Sequence, residues 1–321
     1  MNNKKTNYYN YNITNNHLFI NNSKNDNYLY ISNKSNNFKD NNNNHTNEIN
    51  LIYIGNNEEE NIFGEKFVEN NKHNIELMIN GTKSNLISKY KLKKGKNNIR
   101  MIIKNKITNL EKMFYGCGAL KNINELKNLD TKYVNNFKHI FYRCTLLSDI
   151  NGLVNWDVTN GNSFEDMFCG CKSLSDIKAL KTWSVSNINN FKGMFYGCSS
   201  LSDINALQNW DLSNGNNFSF MFHECSLLSD IKALQKWNVS NGNNFQGMFG
   251  GCSSLSDIKT LQNWNVSKGN NFRSMFYECS PLLDIKILHN WNISENDLIE
   301  GYEENSEESE SNVSESISED N

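Results

Sequence analysis

Seven cysteines, Cys117, Cys144, Cys171, Cys198, Cys225, Cys252 and Cys279, recur every 27 residues. Repeated thiols suggest two chemistries: metal binding, and disulfide or redox exchange. A structural zinc site needs four donors converging on one point, as closely spaced Cys-x₂₋₄-Cys pairs provide. One thiol per repeat does not converge. Stacked repeats would hold neighbouring Cβ atoms near ~4.8 Å, beyond the ~3.8 Å that a disulfide favours. The spacing therefore reads as a column of small apolar core side chains. Cys169 stands off the period, next but one to Cys171, with nothing in the nearby sequence to activate it as a nucleophile.

A second column is charged. Asp149, Asp176, Asp203, Asp230, Asp257 and Asp284 share one phase, and Lys178, Lys232, Lys259 and Lys286 follow two residues later, with Asn151 and Asn205 substituting. Acid–base diagonals offset the repulsion between stacked like charges. Two readings follow: a solvated face kept neutral by ion pairs, and a polar recognition face for a protein partner. Each Asp lacks a second carboxylate close in sequence, so calcium is not expected. The six histidines are scattered. No Ser/His/Asp arrangement, glycine-rich phosphate loop or paired carboxylate site can be drawn. The chain is read as a non-enzyme, with no catalytic residue, cofactor or metal ligand.

Nine basic residues and no acidic one lie between Lys83 and Lys106. Such a stretch attracts RNA, an anionic surface or an acidic tail. Tyr90 is its lone aromatic, so the stacking platform used for single strands is missing. Nucleic acid is not the expected partner, and solvated surface is the preferred account.

A repeating backbone must position these columns. Trp156, Trp183, Trp210, Trp237, Trp264 and Trp291 keep the same period, and periods of this size mark stacked repeats. In the unit 190–216, Phe191, Met194, Phe195 and Cys198 stand at i, i+3, i+4 and i+7. This spacing predicts a short helix, capped by Asn190 and stopped near Gly197. The alternation over Leu201–Leu207 predicts a short strand with one wet face, paired in parallel with its neighbours. Asn214-Gly215 predicts a turn. The expected fold is an α/β solenoid, a leucine-rich-repeat-like right-handed coil of seven copies over 107–294. Upstream, Ile75–Ile79, the turn Asn80-Gly81 and Ile99–Ile103 predict a small β-rich capping element over 51–106.

The string Met-Phe-x-x-Cys-x-x-Leu-x-x-Ile, followed by Trp-x-Val-Ser-Asn, resembles the BspA-type leucine-rich-repeat proteins of bacterial surfaces and some protist genomes. The resemblance covers about residues 107–294. It implies a leucine-rich-repeat coil and, in bacteria, a surface or secreted location associated with adhesion. It brings no catalytic residues.

Composition shifts at both ends. Residues 1–50 contain twenty asparagines and read as a disordered segment, with a weak strand signal at Tyr28–Ile31. Residues 295–321 hold eleven of the 35 acidic residues and none of the 32 basic ones. They read as a disordered Ser/Glu-rich tail, leaving the rest net basic. The start has no apolar signal region, and no apolar run is long enough to span a membrane. A cytoplasmic location with reduced thiols is expected. The expected function is a non-catalytic protein-interaction scaffold presenting the Asp/Lys strand face or the turn edge. The alternatives are a cell-surface, adhesion-type structural protein and end-to-end self-assembly.

Overall fold

The computed structural model describes residues 47–281 and 283–301. The chain divides into two units, residues 1–44 and 45–321. The first lies outside the described residues, and with it the strand expected at Tyr28–Ile31, as do residues 302–321. Asn47–Asn50, read with the asparagine-rich segment, open the first strand, and Glu295–Ile299, read with the acidic tail, form a short helix.

Alternating apolar residues build an antiparallel sheet ahead of the repeats. Strands β1 (Asn47–Gly55), β3 (Ile75–Ile79), β4 (Thr82–Asn85), β6 (Gly95–Ile103) and β7 (Leu120–Asn122) run in the order β4-β3-β6-β1-β7. β2 (Glu59–Asn61) and β5 (Lys89–Lys91) pair separately, and helix α1 (Glu65–Asn71) lies between β2 and β3 in the chain. Leu51 faces Ile99 and Leu77 faces Met101 across the ladders, all fully buried. The pleat thus sends one face inward, as period-two alternation requires.

This sheet is joined to the first repeat. β1 pairs with β7, the Phe63 ring packs 5.6 Å from Phe114, and the Gly64 N–H donates to the Met113 carbonyl at 3.1 Å. A Cβ on Gly64 would lie 2.0 Å from the Lys112 carbonyl oxygen, so glycine permits the approach.

The expected α/β solenoid is overturned by the repeats themselves. Phe191–Cys198 is not a helix but two successive turns, closed by Met194 N–H to Phe191 O (3.2 Å) and Cys198 N–H to Phe195 O (3.1 Å). The third residue of each turn has positive φ, 59° at Gly193 and 66° at Gly197, as type II turns require. The same two positions are left-handed in every copy, from Lys112 and Gly116 to Ser274 and Glu278. A right-handed helix cannot contain them. Phe, Met, Phe and Cys still point inward, because two linked turns reproduce the inward spacing of a short helix.

The expected parallel strand is absent as well. Among the described residues, the named strands pair antiparallel, and parallel pairing in the repeats is confined to isolated bridges such as Asn190 with Asn217. Where the strand was placed, Asp203 turns the chain into the 3₁₀ helix Asn205–Leu207, and Asp176 into Lys178–Thr182. No leucine-rich-repeat coil is formed.

Hydrogen bonds and rings join successive repeats as layers. The N–H groups of Phe191, Gly193, Phe195 and Gly197 donate to Asn217, Ser219, Met221 and His223 carbonyls at 2.8–2.9 Å. Each Trp indole from Trp156 to Trp264 donates to the Leu carbonyl 30 residues earlier, at 3.0–3.1 Å. Phe114, Phe141, Phe168, Phe195, Phe222, Phe249 and Phe276 stack in file with centroids 5.4–5.8 Å apart. Burying each ring contributes about 1.5–3 kcal/mol. At the far end, α2 (Glu295–Ile299) covers the last layer: Ser274 and Phe276 N–H donate to Asp297 and Leu298 carbonyls at 2.7 and 2.8 Å, and Leu298 is buried.

Candidate functional site

The cysteine column lies in the core from Cys117 to Cys252, and Cys279 is half-buried at its end. From Cys144 to Cys279, each thiol donates to the Phe carbonyl 30 residues earlier, at 3.0–3.2 Å. Burial pushes the Cys171 and Cys279 thiols up to about 12 and raises the others of the column well above the ordinary range. Such thiols are poor nucleophiles. Cys169 is half-buried, and burial, followed by the nearby Asp166, raises its thiol too.

The Asp column performs a structural task. In Asp149, Asp176, Asp203, Asp230, Asp257 and Asp284, Oδ1 accepts the backbone N–H two residues on, at 2.8–3.3 Å. Asn122 plays this part in the first copy, at 3.0 Å. These are Asx turns that set the entry to each 3₁₀ helix. At Asp230 the Lys232 N–H bond, with the Lys232 ammonium, holds the carboxyl below its usual range.

The lysines are freer. Lys178 and Lys232 reach back to their own Asp at 3.5 and 3.3 Å, yet their side chains are 80% and 78% exposed. Such exposed pairs contribute little stability. Lys259 and Lys286 are exposed too. Between two layers this edge forms a groove of about 440 Å³, with Asp176, Lys178, Lys181, Asp203 and Gln208 in its walls.

The basic stretch is partly neutralised. Lys83 and Lys104 pair with Glu76, Lys89 with Glu65 and Arg100 with Glu48. Lys106 sits 3.9 Å above the Tyr133 ring. Of the histidines, His139 is enclosed: Nδ1 is buried without a hydrogen bond, 3.6 Å from Asp166 Oδ2.

Two further columns escaped the sequence reading, which took Asn190 by itself as a helix cap. One is amide: Asn109, Asn136, Asn190, Asn217, Asn244 and Asn271 accept the N–H two residues on, with Ser163 in the same role. The other is aromatic: Tyr115 stacks on Tyr142 at 4.6 Å and Tyr196 on His223 at 4.9 Å. Both keep the 27-residue phase, which could have revealed them.

Stacked, self-similar layers with repeated surface columns define a repeat protein. The family described as "Mycoplasma protein of unknown function, DUF285" matches residues 83–205 and again 201–316. Together the two matches span well over half of the sequence, and the chain belongs to this family. The match supports a repeat protein without supporting the BspA leucine-rich-repeat type. No curated protein and no solved structure matches the chain. Among the described residues, no helix is long and apolar enough to cross a membrane.

Proposed function

We propose that the chain is a non-catalytic interaction scaffold that presents its Asp/Lys edge to a protein partner. The observation that carries this reading is the division of labour within the edge. The aspartates fix the turns, and lysines one or two repeats apart project from that rigid base. The fixed turns set the spacing of these cations, and an extended acidic surface is the partner that such a spaced row would suit. The core thiols, raised by burial, hold the layers and do not supply reactivity.

End-to-end self-assembly is the weaker alternative, because α2 already takes the Ser274 and Phe276 N–H groups of the last layer. Adhesion at a cell surface is compatible with the same edge.

A photo-crosslinker at Ser202 tests the proposal, with wild type compared against Lys178→Glu/Lys232→Glu/Lys259→Glu. The expected result is a defined protein adduct that the triple reversal abolishes while folding is unchanged. Adducts identical in both proteins would dismiss the edge as the binding surface.

A further inference from the structure

A second groove lies about half a repeat away along the chain from the Asp/Lys edge. Its volume is about 460 Å³, and its walls come from three successive layers. Several wall amides are already engaged. Asn136 Nδ2 donates to Glu111 at 3.0 Å, Asn190 Nδ2 to Glu165 at 3.4 Å, and Asn160 Nδ2 to the Lys132 carbonyl at 2.6 Å. Lys138 pairs with Glu165 at 3.0 Å, so the one cation in the walls is neutralised.

Asn135, Asn162 and Asn189 differ. They occupy one column in three adjacent layers, are exposed, and have no side-chain hydrogen bond among the described residues. Farther along the same column the amides are consumed internally. Asn216 Nδ2 donates to the Asn241 carbonyl and Asn243 Nδ2 to Lys268, at 3.3 and 3.4 Å. Asn270, at the far end of the column, is exposed and again has no side-chain hydrogen bond among the described residues, but it stands alone, whereas Asn135, Asn162 and Asn189 are consecutive and share one groove.

We infer that this groove binds a neutral oligosaccharide chain. Each primary amide offers a donor pair and an acceptor, which matches adjacent sugar hydroxyls. Three such groups on a rigid floor address a ligand whose polar groups repeat along its length. Neutralised walls select against charged polymers. A peptide fits less well, because strand-like recognition takes its specificity from side-chain pockets, and every wall residue here is polar.

The test uses the full chain with maltohexaose, cellohexaose and chitohexaose, and an uncharged peptide of alternating Gln and Ala, by calorimetry and ligand-observed NMR. At least one sugar should bind saturably, with affinity unchanged by salt. Asn135→Ala/Asn162→Ala/Asn189→Ala should weaken it roughly tenfold or more, and Asn243→Ala should leave it intact. Thermal melts confirm that both variants fold. Saturable binding of the peptide alone, no saturable sugar, or equal affinity in the triple variant would each overturn the assignment. The Asp/Lys edge would be untouched by that failure, since its variants lie in another column.

Discussion

His139 and Asp166 form a pair of opposed titrations inside the turn edge. Their side chains are 23% and 21% exposed and lie 3.6 Å apart. Burial holds the His139 imidazole down at about 4, against an ordinary 6.5. Burial also pushes the Asp166 carboxyl up to about 6, against 3.8. Each displacement corresponds to about 3 kcal/mol. Their signs differ. Unfolded chain takes up the histidine proton first, so His139 costs stability as pH falls from 6.5 towards 4. Folded chain takes up the aspartate proton first, so Asp166 restores stability as pH falls through about 6 towards 3.8. In the wild type the two trends run against each other. Asp166→Asn should therefore lose about 3 kcal/mol relative to wild type between pH 7 and pH 4. His139→Gln should gain a similar amount over that range. Urea midpoints at constant ionic strength, taken as differences from wild type, remove the contribution of all other carboxylates. Parallel pH profiles for the three proteins would refute the opposed pair.

Asp176→Ala, Asp203→Ala and Asp230→Ala should each cost about 1 kcal/mol through loss of the Asx turn, whereas the Asn variants should stay near wild type; equal urea midpoints for Ala and Asn would show that the acceptor oxygen is irrelevant. Gly193→Ala should cost about 2–4 kcal/mol, from positive φ and from a Cβ placed 1.9 Å from Asp166 Oδ1; Asp166→Gly in the same chain should recover part of it, and independent melting effects would exclude the contact. Leu298→Ala should cost about 2–5 kcal/mol, with faster amide exchange confined to the last layers; protection unchanged at Ser274 and Phe276 would deny α2 its role as a cover.

The inward residues were legible because periodic apolar identity survives a change of backbone. Phe191, Met194, Phe195 and Cys198 are read as facing the core whether they belong to a helix or to two turns. The backbone itself was misread for the same reason. Glycine at both Gly193 and Gly197, repeated at Gly247 and Gly251, was the contrary signal, since helix interiors disfavour it by about 1 kcal/mol each. Other copies hide that signal behind Phe220, Glu224 and Arg143, which accept positive φ where their N–H groups are held by carbonyls of the next layer. The strand reading failed at Asp203, whose side chain binds the backbone locally and diverts it into a 3₁₀ turn. Hydrophobic alternation does not register such a bond. The free amides of Asn135, Asn162 and Asn189 were not separable from engaged neighbours of the same type until their partners were known.

The two lids touch only the end layers: the antiparallel sheet holds the first through β7, Gly64 and Phe63, and α2 holds the last through Ser274 and Phe276. Neither lid measures height. Excising or duplicating one 27-residue unit would therefore leave the surviving joints chemically unchanged, while shortening or extending every surface column together. Because each layer leans only on its neighbours, the number of interior units, and not either lid, sets how far the columns extend.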